Sequence, residues 1–169
     1  MIRIQNFKIN HHENIFRKDF ICSSNCYGGG LFAGPGRSTV YFFLDFRNFI
    51  PEYTVKINGE DGFVLKPEGK PVMKGSTTLM YNMCARKVVF EHPDSYVLSI
   101  DCPTPKTVYH AELNLNLEDG ETFYVLCNGK VGKAFYMELV PEKEGLKLLK
   151  KAQTSNKYTI NEDYVYKGK

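Results

Sequence analysis

Four side chains near the N-terminus have types and spacing that could hold a metal ion. Cys22-Ser-Ser-Asn-Cys26 matches a ligand spacing found in zinc sites, and His11-His12 lies ten residues upstream. Together they could close a tetrahedral structural site and pin a segment with little core of its own. Two free thiols, or a disulfide involving one or both cysteines, are the competing states. Structural zinc sites usually pair two well-spaced doublets, and adjacent histidines rarely ligate one ion together. The sequence holds no CxxC, so the pattern favours free thiols and no resident cofactor.

A second motif is Gly36-Arg37-Ser38-Thr39, which looks like the end of a phosphate-binding loop. Such a loop requires a glycine five positions before the second one, and Leu31 stands there. Pro35 removes a backbone donor, Arg37 replaces the lysine, and the residues that follow are β-branched and aromatic. No helix N-terminus is available to hold an anion. The expectation is a glycine-rich lead-in to a core strand.

Thiol chemistry is the remaining catalytic option, because a thiolate needs a histidine or a helix terminus to lower its pKa. His92 precedes Pro93-Asp94 in a turn, and His110 falls on the polar face of a strand. Cys84 and Cys102 lie near strand ends, and Cys127 is in phase with buried positions. No GxSxG, HExxH or Ser–Lys pattern is present. The acidic pairs Glu60-Asp61 and Glu118-Asp119 adjoin turn glycines, where turn formation explains them. The sequence therefore predicts no catalytic residue.

The elements that must position these groups are β-strands. Aromatic content is 14%, with 11 Tyr, 12 Phe and no Trp, and these residues favour strands. Strand patterns run over 38–46, 52–59, 62–66, 77–82, 86–91 and 95–101, punctuated by Asn-Gly, Asp-Gly and proline-containing turns. Residues 108–140 read as a three-stranded meander. Tyr109, Ala111, Leu113, Leu115 and Leu117 share one face, and Phe123, Val125 and Cys127 another. Asp119-Gly120 and Asn128-Gly129 are the expected hairpin turns. Pro141, the early acids Glu142 and Glu144, and the late Lys150 and Lys151 predict a helix over about 142–152, docked by Leu146 and Leu149. The expected architecture is an all-β antiparallel sandwich over 37–169 with this one short helix and an N-terminal extension over 1–36.

The segments "VYFFL", "VKINGEDGFVLK", "LEDGETFYVLC" and "MELVPEKEGLKLL" together resemble a bacterial transthyretin-like β-sandwich family of unknown function. The likeness spans roughly residues 38–152. It implies a transthyretin (prealbumin) type of sandwich, and members of that family often sit in lipoproteins or secreted proteins. The chain departs from the pattern by lacking a lipobox and a signal segment. Its 67–87 connection, "PEGKPVMKGSTTLMYNMCARK", is also longer than usual.

Charge narrows the partner. The net charge is +3, and residues 1–140 carry 15 basic against 15 acidic side chains. A body without a basic field predicts no nucleic-acid binding. No run approaches the roughly 18–20 apolar residues that span a bilayer, so the chain is expected to be soluble and, as written, cytoplasmic. The leading expectation is a non-catalytic accessory module that binds protein, peptide or glycan. Outward tyrosines such as Tyr124 and Tyr136 are candidate contacts, unless the helix covers them. The alternatives are a small-ligand or zinc-dependent binder using the N-terminal Cys/His segment, and a Cys/His enzyme.

Overall fold

The computed structural model describes residues 36–103, 106–130 and 134–168. The apolar run from Ser38 to Leu44 forms β1, which is buried on both faces. Such a run marks a central strand covered from both sides. Its inner side chains Val40, Phe42 and Leu44 enter the main core, while Phe43 points into a second, smaller one.

Eleven further strands follow β1 in the described residues: β2 (Tyr53–Ile57), β3 (Glu60–Leu65), β4 (Gly69–Pro71), β5 (Leu79–Tyr81), β6 (Met83–Phe90), β7 (Ser95–Pro103), β8 (Val108–Asn116), β9 (Thr122–Lys130), β10 (Ala134–Leu139), β11 (Tyr158–Ile160) and β12 (Tyr164–Tyr166). One helix, α1, spans Glu142–Thr154. A six-stranded sheet runs β10-β9-β1-β6-β11, with β12 also on β6, and a four-stranded sheet runs β3-β2-β7-β8. The two pack face to face as an all-β sandwich. Pairing is mainly antiparallel, but β1–β9 and the β11 and β12 pairs with β6 are parallel.

Alternation on the four-stranded sheet gives one buried face. Tyr53, Val55 and Ile57 of β2, Leu98 and Ile100 of β7 and Leu115 of β8 point inward to meet Phe42, Val88 and Val125. Aromatic contacts tie the two layers, with Phe42 and Phe63 4.7 Å apart and Tyr53 stacked on Phe135 at 6.1 Å. Asn58-Gly59 joins β2 to β3 with both residues at positive φ, the geometry a two-residue hairpin requires.

Only half of the expected meander forms: β9 and β10 pair antiparallel, but β8 does not join them. β8 belongs to the four-stranded sheet and β9 to the six-stranded one, so the turn containing Gly120 carries the chain from one sheet to the other. Gly120 has φ of +77° as the turn demands, but the strand after it, β9, pairs with β1 and β10 and not with β8. Asn128-Gly129 is not a turn either; both residues sit inside β9 opposite Tyr136 and Phe135. The space at 129 is tight, since a methyl there would lie 3.0 Å from the Ala134 carbonyl oxygen and 3.2 Å from the Phe135 ring.

The helix covers the outer face of the six-stranded sheet. Gly145, Leu148 and Ala152 are its buried residues, pressed over Tyr124, Phe43 and Tyr158. Leu149 packs there only in part, and Leu146, expected to dock, is exposed. The early acids and the late Lys151 complement the helix dipole as the pattern predicted.

Side chains hold the end of β3 and the residues that follow it. Asn161 accepts from the Lys66 N–H and donates to the Lys66 carbonyl, both at 2.8 Å, and Thr159 Oγ1 accepts from the Glu68 N–H at 2.9 Å. Arg86 Nη1 donates to the Val64 carbonyl. These groups satisfy one carbonyl of β3 and the backbone just beyond it, which covers that part of the sheet edge.

Candidate functional site

The structure places each candidate differently. Cys22, Cys26, His11 and His12 lie outside the described residues. Among those described, no group of three or more His, Cys, Asp or Glu side chains is arranged to hold a metal ion.

The residues that looked like a phosphate loop are occupied by the protein's own carboxylate. The Gly36 and Arg37 amides both donate to Asp119 Oδ1, at 2.5 and 3.1 Å. Ser38 Oγ donates to the Glu118 carbonyl at 2.6 Å, and Arg37 pairs with Glu91 at 3.1 Å. The stretch therefore fastens the start of β1 to the corner between the sheets, and Asp119 acts there as a turn-forming acceptor.

Cys84, Cys102 and Cys127 are free and buried. Burial raises all three thiol pKa values, that of Cys127 to about 12. Such thiols are protonated, unreactive core residues. In a Cys22→Ser/Cys26→Ser variant, a thiol reagent such as DTNB should therefore label nothing in the native state and all three remaining cysteines after unfolding. Rapid native labelling of any one would contradict the burial.

His110 lies on the outer face of β8, where its Nδ1 is 2.7 Å from Asp101 Oδ1 and its Nε2 3.8 Å from Glu112 Oε2. The hydrogen bond to Asp101 is the main reason its pKa is raised above 6.5. His92 is exposed, and its carbonyl accepts from the Tyr96 hydroxyl. Among the described residues, neither histidine meets a thiol. Because protonated His110 is favoured in the folded state, its contribution is complete below the unfolded pKa and is lost as pH rises through the folded value. An NMR titration should give His110 a midpoint above that of a free histidine, and Asp101→Asn should lower it. An unshifted wild-type midpoint would contradict the pairing.

Of the two outward tyrosines, Tyr124 is buried beneath the helix, whereas Tyr136 remains 42% exposed. An open groove of about 310 Å³ lies between the β2–β3 turn and β12, lined by Ile57, Glu60, Asp61, Tyr164, Tyr166 and Lys167.

Within the long 67–87 connection the strand pattern over 77–82 appears as β5, and its partner β4 is the element the sequence did not resolve. Residues 69–81 form a separate two-stranded sheet, β4 with β5, an arm whose tip residues 71–75 are all exposed. The Val72 amide bonds the Thr78 carbonyl and the Ser76 amide the Met73 carbonyl, with Gly75 at φ +83°, so the tip is an ordered turn. Gly69 allows the β5 side chains to cross the arm, since a methyl there would lie 2.8 Å from the Tyr81 ring. At the base, Asn48 bridges to Tyr81. Four of the eleven exposed large apolar side chains among the described residues belong to the arm and its base, Met73 at 68%, Phe49 at 60%, Val72 and Leu79. The other seven, Val108 and Ile160 among them, lie on other elements. The signal available in sequence was Lys74-Gly75-Ser76 between two short apolar stretches, a hairpin mark too brief to separate from a loop.

No protein-family model, curated protein or solved structure matches this chain.

Proposed function

We propose that this chain is a non-catalytic β-sandwich accessory module that acts by surface contact with a protein, peptide or glycan, using the β4–β5 arm. The observation that carries this reading is the arm itself, an ordered two-stranded sheet with large apolar side chains left in water. Soluble surfaces seldom gather such groups without a partner. None of the residues in its tip belongs to either buried cluster, so the sandwich does not need them. The buried thiols and the carboxylate-bound His110 support the same reading. The likeness to transthyretin-like bacterial domains supports it by analogy of fold.

The test is to replace residues 71–79 by an Asn-Gly turn between Lys70 and Met80, which already face each other across the arm. The shortened protein should keep its thermal unfolding midpoint and lose the adducts that the full chain forms with a chemical crosslinker in cell extract. Adducts that persist unchanged without the arm would refute the proposal.

A further inference from the structure

We infer that the arm receives an acidic, partly apolar polypeptide segment laid along its length. This rests on the function proposed above and names the partner class for the same surface. The chemistry of the arm is two-part. By strand alternation Lys70, Val72 and Met80 share one face of the arm and Pro71, Leu79 and Tyr81 the other, with Met73 in the turn and Phe49 next to the bridge at the base. Four exposed cations lie along the arm and at its base: Arg47 on the base loop, Lys66 where the chain enters the arm, Lys70 in β4, which also donates to the Asn156 carbonyl at 3.4 Å, and Lys74 in the turn. Within residues 66–81 the only acid is Glu68, 3.7 Å from Lys70, while Asp45 and Glu52 flank Arg47 in the base loop.

The acidic groups gather elsewhere, with Glu118, Asp119 and Glu121 at the corner where the chain crosses between sheets. A basic, apolar arm on a body without net basic charge complements a segment that alternates carboxylates with apolar side chains. Electrostatic complementarity of this kind speeds encounter and selects the partner, while the desolvated apolar contacts hold it. A neutral glycan would leave the cations unused. A bilayer would need apolar groups only at the tip, whereas here they extend back to Phe49, which favours an elongated partner.

The experiment pans a phage-displayed library of random short peptides on the full chain and measures the winners by fluorescence anisotropy. Three proteins are compared: wild type, Lys70→Glu/Lys74→Glu, and Met73→Asp. All the substitutions fall on exposed positions, and circular dichroism checks that each variant folds. The expected winners are rich in Asp and Glu with interspersed apolar residues. They should weaken about tenfold or more on Lys70→Glu/Lys74→Glu, and also as salt is raised. Winners that depend on Met73 without acidic enrichment would overturn this inference and leave the proposed function standing. Winners indifferent to every arm variant would overturn both. Arm-dependent binding to phosphatidylserine–phosphatidylcholine vesicles, without arm-dependent acidic peptides, would assign the arm to a membrane surface and overturn the polypeptide.

Discussion

Gly145→Ala should destabilise the protein by about 2–3 kcal/mol, the cost of forcing extra volume into a packed site. The sign is the informative part, because the same change in an open helix interior stabilises by about 1 kcal/mol. Here the helix backbone lies directly on the Tyr124 ring. A methyl at 145 would fall well inside contact distance of ring carbon Cγ, with Cδ1 and Cδ2 at 2.5 Å. Tyr124 cannot easily swing aside, since it is stacked on Tyr41 at 5.7 Å and is buried. The helix must lift, and Leu148 and Ala152 lose part of their contact with it. A double-mutant cycle isolates the cause: in a Tyr124→Ala background, adding Gly145→Ala should cost little or stabilise. Equal destabilisation in both backgrounds would show that the ring is not the obstacle.

Asp45→Ala should cost about 2–3 kcal/mol, chiefly because it strands a buried hydroxyl. Asp45 follows β1, where it accepts a short hydrogen bond from the Tyr158 hydroxyl and pairs with Lys151 Nζ at 2.8 Å. Lys151 also lies over the Tyr158 ring, 5.6 Å from its centre. Three elements, β1, α1 and β11, are thereby tied at one carboxylate. Lys151 is half exposed, so its ion pair contributes little and most of the loss comes from Tyr158. Asp45→Asn keeps an acceptor for Tyr158 and should retain most of the stability in urea unfolding. If Asn proved as damaging as Ala, the charge on Lys151 would matter more than the hydroxyl.

These two sites show which level of structure was readable. The five-residue apolar run Val40–Leu44 has no polar face, and that alone marks a strand covered on both sides. Asn58-Gly59 was readable because only positive φ at both positions satisfies a two-residue hairpin. The helix was readable from its charge order. Which of its faces docks was not, because Leu146 and Leu148 are equally apolar. The buried stripe is set by Gly145, which allows close approach to Tyr124.

The β8–β9 turn misled for a physical reason. Asp119-Gly120 creates a reversal, and a reversal serves a hairpin and a sheet-to-sheet crossing alike. Alternation in β8 tells which face is buried, not which sheet the next strand joins. A hint lay in β9, where Tyr124 and Leu126 are apolar on the face opposite Val125 and Cys127. A strand buried on both faces belongs under the helix, beside β1, and not at the end of an open-faced meander. Of the arm, β5 fell within the strand pattern over 77–82, but β4 was not legible, since a three-residue Gly-Lys-Pro strand carries no measurable period. Its significance rests on exposure, which only folding reveals.

The most direct test of the account places a photoreactive benzoylphenylalanine at Met73 on the arm and, in a second protein, at Asn114 on the polar outer face of β8. Both positions are exposed, so both variants should fold. After irradiation in cell extract, the account predicts a discrete protein or peptide adduct from position 73 and none from 114. Adducts from 114 with none from 73 would contradict it, placing the working surface on the sheet and leaving the arm without a role.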